Sequence, residues 1–218
     1  MTIPEKAEKK KFYTYQDYIT WDDDFRREII DGVIYPLYGS IPLDGPYDKR
    51  IYSMAAPSQN HQEILLELAV QLRNFLRGKR CKVFIAPFDV KLTQNDECVV
   101  QPDISVVCNP ENLKKSINYC NGPPDFIIEI LSPSSIKKDQ LFKFNRYLEA
   151  GVKEYWIVDP QNRLVKKMVL LENRYITQVF GDDTEIPVTV LDGCVIDIES
   201  VFGPLPELIL EEGGLDNQ

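Results

Sequence analysis

Apolar positions recur with two different periods along the chain, and these periods predict its helices and strands. Between Ser58 and Gly78 apolar residues return every three or four positions, which predicts an amphipathic helix with one face on a sheet. A second helix is predicted to begin at Ser134 or Ser135 and to end at Gly151. The apolar stripe of the first helix comprises Ile64, Leu65, Leu68, Ala69, Leu72, Phe75 and Leu76.

Most other apolar runs are short and are bounded by glycine, proline or turn residues, which is typical of β-strands. Asp31-Gly32 predicts a hairpin turn within residues 25–35, and Glu172-Asn173 predicts another between residues 164 and 180. The remaining predicted strands cover residues 81–92, 99–108, 126–131, 154–159 and 188–198.

The order of these elements predicts an α/β fold with a mixed sheet flanked by helices and an N-terminal β-hairpin extension. The helix that ends at Gly151 connects the strands at 126–131 and 154–159, so these two strands are expected to be parallel. We expect a lead over residues 1–24, a single domain over 25–203 and a tail over 204–218.

Composition narrows the functional classes. The 218 residues carry a net charge of −9, which disfavours a protein that binds nucleic acid over its whole surface. The single histidine, His61, excludes histidine-rich metal sites, and no apolar run is long enough for a membrane span. The polar N-terminus lacks the apolar core of a signal peptide, so a cytoplasmic location is expected. Five cysteines without a C-x-x-C pair favour reduced thiols over a zinc site.

Two carboxylates interrupt strand-like apolar runs. Glu129 lies within Phe126–Leu131, and Asp103 lies within Val99–Val107. A carboxylate buried in such a strand is costly unless it is paired or binds a metal. If both acids converge at one end of the sheet, their hard oxygens suit Mg²⁺ or Mn²⁺. The alternative is two acids that are satisfied by backbone amides or by an arginine.

Two basic side chains are candidates beside these acids. Lys143 shares a helix face with Asp139 and Tyr147, so it could reach the sheet edge near a scissile phosphate. The alternative is an exposed ion pair between Asp139 and Lys143. His61 opens the first helix, and we interpret it as a structural cap or a partner of a sheet acid, with direct catalysis as the alternative.

Several segments in this order resemble the Uma-type restriction endonuclease family, which is assigned to the PD-(D/E)XK nuclease superfamily. The resemblance covers roughly residues 25–202. The segments are Glu28-Ile-Ile-Asp-Gly, Ala56-Pro-Ser with His61-Gln62, Ala86-Pro-Phe-Asp-Val-Lys, Val100-Gln-Pro-Asp-Ile, Pro124-Asp-Phe-Ile-Ile-Glu-Ile-Leu-Ser-Pro-Ser, Lys138-Asp-Gln-Leu-Phe-Lys-Phe and Ala150-Gly-Val-Lys-Glu-Tyr-Trp-Ile-Val-Asp-Pro.

The resemblance implies a restriction-endonuclease-like core and Mg²⁺- or Mn²⁺-dependent hydrolysis of DNA phosphodiester bonds. It implies that Asp103 and Glu129 bind the metal. The superfamily's lysine is expected two residues after the second acid, where this chain has Leu131, so Lys143 is the implied substitute.

Further candidates follow from the same resemblance. Glu63 and Asp89 are candidates for additional acids near the metal. Lys137, Lys138 and Arg146 are candidates to line the approach of the substrate, and the alternative is a solvated helix face. A homodimer fits the need to cut two strands of a duplex. Two alternatives stay open: a catalytically silent module for nucleic-acid binding or dimerisation, and a phosphoesterase that acts on a non-DNA substrate.

Overall fold

The computed structural model describes residues 12–21, 26–36, 57–93, 97–113, 118–132 and 142–204. Two β-sheets and a small β-ribbon form most of this part, with four α-helices around them. The α/β fold class predicted from the sequence is confirmed.

The larger sheet has six strands in the order β11-β10-β9-β8-β6-β3. Strands β8 and β9 run parallel, as the crossover between them predicts, and the other neighbours are antiparallel. Every residue of β8 is buried, because the sheet is covered on both faces. The strands are β3 (Lys82–Ile85), β6 (Ile104–Val107), β8 (Phe126–Ile130), β9 (Glu154–Asp159), β10 (Leu164–Leu171) and β11 (Arg174–Phe180).

The smaller sheet has five strands in the order β2-β1-β5-β4-β7. It contains the predicted N-terminal hairpin, whose turn residues Asp31 and Gly32 both have positive φ, 56° and 72°. Pairing of Ile29 with Val99 joins the hairpin to β5, so it is an integral part of this sheet. The strands are β1 (Arg27–Ile30), β2 (Val33–Pro36), β4 (Val90–Lys91), β5 (Val99–Val100) and β7 (Cys120–Asn121).

Capping residues in the sequence mark the start of one helix and the end of another. The predicted first helix is α2, which begins after Ser58, whose hydroxyl accepts from the His61 amide at 3.2 Å. Gly151 ends α3 with φ of 81°. The predicted start of that helix at Ser134 or Ser135 lies outside the described residues. The helices are α1 (Tyr15–Tyr18), α2 (Gln59–Leu76), α3 (Phe144–Ala150) and α4 (Ile198–Phe202), with a 3₁₀ turn at Pro110–Leu113.

Each face of the larger sheet has its own core. On one face, Ile64 and Leu68 of α2 pack with Ile128 of β8. On the other face, Ile127 packs with Tyr147 of α3 and with residues of the smaller sheet. Within the described residues, none of the helices combines the length and the apolar character needed to cross a bilayer.

Two predicted strands are each divided between the two sheets. The run 81–92 forms β3 and β4, with Pro87 between them, and the run 99–108 forms β5 and β6, with Pro102 between them. Proline cannot donate to a sheet ladder, so pairing stops there and the chain changes sheets. The last predicted strand, 188–198, is much shorter in the structure. Only its end forms a strand, β13 (Val195–Asp197), which pairs with β12 (Glu185–Pro187) in the ribbon.

The expectation that all five thiols are reduced is wrong for two of them. Cys81 and Cys108 form a disulfide, with their Cα atoms 4.0 Å apart. They follow on from the Lys82–Val107 pair of antiparallel strands β3 and β6, and this pairing brings them side by side. Cys98, Cys120 and Cys194 are free and buried.

Candidate active site

Glu129 is the fourth of the five residues of β8, and only 3% of its surface is exposed. Side chains alternate across a strand, so Glu129 shares a face with Ile127 and Leu131, both of which pack in the core beside α3. The carboxylate therefore points into the interior between the sheet and α3.

Lys143 is the residue immediately before α3, and it is 2% exposed. Its Nζ lies 2.8 Å from Glu129 Oε1 and 2.9 Å from Glu28 Oε1. The alternative partner, Asp139, lies outside the described residues. The structure thus brings the predicted lysine and the predicted second acid into direct contact.

Glu28 is a site residue that sequence reasoning did not identify. It lies in β1 and is fully buried, and its Oε1 also accepts from the Gln101 amide at 2.8 Å. The available signal was a lone acid within the strand Arg-Glu-Ile-Ile, the same kind of signal that marked Glu129. The missing information was the pairing of β1 with β5, which places Glu28 beside the residues that lead to Asp103.

Tyr147 also contacts Glu129. Its hydroxyl donates to Glu129 Oε1 at 2.6 Å, one helical turn after Lys143. Burial, and then the nearby Glu129 carboxylate, raise the pKa of Tyr147 well above its ordinary value. The tyrosine therefore stays a hydrogen-bond donor at neutral pH and orients the glutamate.

Asp103 lies where the chain passes from β5 in the smaller sheet to β6 in the larger one. Its Oδ2 accepts from the amide of Ile130, the residue after Glu129, at 2.8 Å. His61 Nε2 of α2 lies 3.4 Å from the same oxygen. His61 thus contacts one of the two predicted acids, and the Asp103 carboxylate lies next to the β8 backbone at Glu129.

Asp89 is connected to this group through Gln101. The amide side chain of Gln101 donates to Asp89 Oδ1 at 2.8 Å, while its backbone amide donates to Glu28. Burial raises the pKa of Asp89. Asp89 thus belongs to the hydrogen-bonded surroundings of Glu28.

Of the other predicted site residues, the structure describes Glu63 and Arg146. Glu63 is on the exposed side of α2, where it accepts from Gln59 and lines a cavity of about 310 Å³ beside α4. Arg146 is held by Asp31 at 2.6 Å and by Glu149, so two acids already neutralise its guanidinium. Lys137 and Lys138 lie outside the described residues.

The donor chemistry of the group fits a hard divalent cation, because it consists of carboxylate oxygens without thiolate ligands. The oxygens of Glu28 and Glu129 already converge on one cation, the Lys143 ammonium. In the part of the chain that the structure describes, however, no three His, Cys, Asp or Glu side chains are gathered as a ready ligand group. A metal would thus be held by acids that the lysine engages in this structure.

Comparisons with known proteins agree with this architecture. The model of the Uma2 family, described as "Putative restriction endonuclease", matches residues 47–199. A solved structure from Anabaena variabilis ATCC 29413, described as a "putative nuclease belonging to DUF820", is similar with a TM-score of 0.65 and 19% identity, over 87% of this chain and 97% of that chain. This likeness shows a shared fold. None of the curated proteins matches the chain. The family match includes Asp103, Glu129 and Lys143, whereas Glu28 precedes it.

Proposed function

The chain belongs to the Uma2 family, and on that premise we propose that it is a metal-dependent endonuclease that hydrolyses DNA phosphodiester bonds. The observation that carries the proposal is the buried contact between Lys143, at the start of α3, and Glu129 of β8, with Asp103 beside it. A charged lysine and two acids at the junction of two sheets are expensive for folding alone.

Each residue has a role that its position supports. Asp103 and Glu129 would bind Mg²⁺ or Mn²⁺, and Glu28 adds a further carboxylate. Such an ion, when bound, makes a water more nucleophilic and offsets negative charge on a phosphate. Lys143 supplies positive charge for the attacked phosphate. Tyr147 holds the Glu129 carboxylate, and His61 holds that of Asp103, in the required orientation.

Duplex DNA has two strands, and each chain contributes one such group of residues. We therefore expect a homodimer when the substrate is a duplex. The net charge of −9 opposes binding of DNA over the whole surface, so contact is expected to be confined to the region of the site and to weaken steeply with salt.

The test is cleavage of supercoiled plasmid and of single-stranded DNA with Mn²⁺ at low salt. Wild type is compared with Asp103→Ala and Lys143→Ala, and thermal unfolding checks that each variant is folded. We expect wild type to cut and both variants to lose cutting, because one loses a metal ligand and the other loses the charge at the phosphate.

Two other results have a clear meaning. Cutting that Lys143→Ala retains and Asp103→Ala loses would keep the nuclease and reject the role of the lysine. A folded wild type that binds Mn²⁺ but cuts neither substrate, over a broad pool of DNA sequences, would favour a binding module instead.

A further inference from the structure

Within the described residues, β11 is the outermost strand of the larger sheet on the β10 side. It is largely exposed, and its apolar residues Ile176 and Val179 are 43% and 58% exposed. Natural proteins usually protect such an edge with a charge, a proline or a bulge. Residues 175–180 contain neither a charge nor a proline, and the pairing with β10 runs without a bulge. This edge therefore keeps the chemistry needed to pair with another strand.

The hydrogen bonds of β10 show which backbone groups of β11 point outwards. The Leu170 amide donates to the Lys153 carbonyl at 2.8 Å, so the backbone groups of Leu170 point towards β9. In an antiparallel ladder, successive residues direct their N–H and C=O groups to opposite sides. Tyr175, which lies opposite Leu170, therefore directs both groups away from β10, and Thr177 and Val179 do the same. The outer edge thus presents three donors and three acceptors.

The core holds this edge in place. Tyr175 and Phe180, near the two ends of β11, pack against the two cores of the sheet. The Tyr175 hydroxyl donates to the Val152 carbonyl at 2.8 Å, and its ring lies 5.4 Å from that of Phe144, the residue after Lys143. A strand that pairs with β11 would therefore meet a preorganised edge, which lowers the cost of association.

A second copy of β11 matches the edge in hydrogen bonding and in charge. A twofold axis at Thr177 places Tyr175 opposite the partner's Val179, so the outward groups of both strands can form six hydrogen bonds. Arg174 begins the strand and is exposed, and Asp182-Asp183 follow its end. In an antiparallel pair the start of one strand lies beside the end of the other, so opposite charges meet at both ends.

We propose that β11 pairs antiparallel with β11 of a second copy and joins the two larger sheets into one continuous sheet. Isologous pairing of this kind closes a homodimer and leaves neither of the two edges exposed. This inference rests on the proposed function, since it specifies the homodimer that a cut in both strands of a duplex requires. The association itself needs neither metal nor DNA.

The experiment is analytical ultracentrifugation of the full chain without metal or DNA, over the micromolar range. Wild type is compared with Thr177→Lys and with the control Leu171→Lys. Thr177→Lys places two like charges opposite each other at the axis, so we expect dimerisation to weaken about tenfold or more. Leu171 is 57% exposed in the same hairpin, but its backbone faces β11, so Leu171→Lys should dimerise as wild type does. Thermal unfolding checks that each variant is folded.

Disulfide cross-linking under mild oxidation tests the position of the axis. In Thr177→Cys the two new thiols lie in a hydrogen-bonded pair, whose Cα separation of about 5.5 Å suits a disulfide. Gln178 is displaced from its own copy along the strand, so Gln178→Cys should not form the cross-link. The natural cysteines do not compete, because three are buried and Cys81 is bonded to Cys108. We expect a covalent dimer from Thr177→Cys alone.

The failures of the two proposals are distinguishable. A wild type that stays monomeric at every concentration would overturn the β11 dimer and leave the edge to another occupant. A dimer that Thr177→Lys retains in full, or a cross-link from Gln178→Cys in place of Thr177→Cys, would also overturn it. Neither result depends on cutting, so a monomer that cleaves DNA keeps the nuclease, whereas a β11 dimer that cleaves no DNA keeps only the interface.

Discussion

Two buried Glu–Lys contacts in this protein differ in what else their carboxylates bind. In one of them, Glu154 Oε1 lies 3.6 Å from Lys167 Nζ. The oxygens of Glu154 accept from Trp156 and from the Val190 amide, so the fold itself satisfies that acid. Glu129 accepts from the side chains of Lys143 and Tyr147. Side chains can rearrange around a ligand more readily than a backbone can, so these two contacts can give way to a ligand.

Removal of the Tyr147 hydroxyl tests its role as an orienting donor. Tyr147→Phe keeps the ring in the core but removes the 2.6 Å hydrogen bond to Glu129. A bond to a charged acceptor is worth about 1.5–3 kcal/mol, so we expect that loss in the free energy of unfolding. Cleavage should slow while the variant stays folded. Urea unfolding and single-turnover cutting measure the two effects, and wild-type values in both would refute the role.

The pH dependence of stability tests the environment of Glu154. Burial raises its pKa above 4.5, so the folded protein holds this proton more tightly than the unfolded chain does. The stabilising contribution is complete below about pH 4.5 and is lost as the pH rises through the raised pKa. We therefore expect the pH profile of Glu154→Gln to fall less over that range, as measured by urea unfolding midpoints.

Asp182 is a control, because its pKa shifts in the opposite direction to that of Glu154. A hydrogen bond from Arg163 lowers its pKa, so its contribution is present above about pH 3.8 and is lost as the pH falls. Asp182→Asn should therefore lose stability relative to wild type only at the higher pH. Parallel profiles for wild type and Glu154→Gln would contradict the account.

At the residue scale, the sequence could identify groups that stand out locally. Asp103 and Glu129 stand out as acids within apolar runs, Lys143 stands out by its position on a helix face, and a family resemblance supports all three. The structure places them in one region. Glu28 carries the same local signal but was missed, because its contact with Lys143 depends on how the two sheets pack. The Cys81–Cys108 bond was missed for the same reason, since strand partners are distant in sequence.

At the scale of elements, the site lies where the chain changes sheets. Strands β5 and β6 are consecutive in the chain but belong to different sheets, and Asp103 lies between them. Strand β1 brings Glu28 to the same place by pairing with β5. The predicted hairpins at Asp31-Gly32 and Glu172-Asn173 are confirmed. The sequence could predict them because the residues that form a tight turn are neighbours in the chain. The division of two strands was not predicted, because the runs 81–92 and 99–108 were each interpreted as one strand.

The disulfide between Cys81 and Cys108 is expected to stabilise the β3–β6 edge. It closes a loop with a sequence separation of 27, for which the chain-entropy relation gives about 3.5 kcal/mol. Reduction, or replacement of both residues by serine, should lower the free energy of unfolding by about 2–4 kcal/mol. Urea unfolding with and without dithiothreitol measures this. The serine variant, which reductant should not affect, is the control, and an unchanged wild type would refute the bond's contribution.

At the scale of the whole molecule, the negative net charge disfavours binding of the substrate that the site is proposed to cut. A chain with a net charge of −9 repels DNA, yet the proposed substrate is a polyanion. The buried acids add to that repulsion until cations neutralise them. We therefore expect cutting to depend on divalent ions for both binding and chemistry, and to decline steeply as salt increases.

The most direct test of the central claim is the rate of plasmid nicking by two matched variants. Glu129→Gln and Glu154→Gln each remove one buried glutamate charge, on the adjacent strands β8 and β9. With Mn²⁺ at low salt, Glu154→Gln should nick like wild type, whereas Glu129→Gln should be about a hundredfold slower or worse. A chelator should abolish the wild-type rate. Nicking by folded Glu129→Gln at the wild-type rate would contradict the assignment of this site.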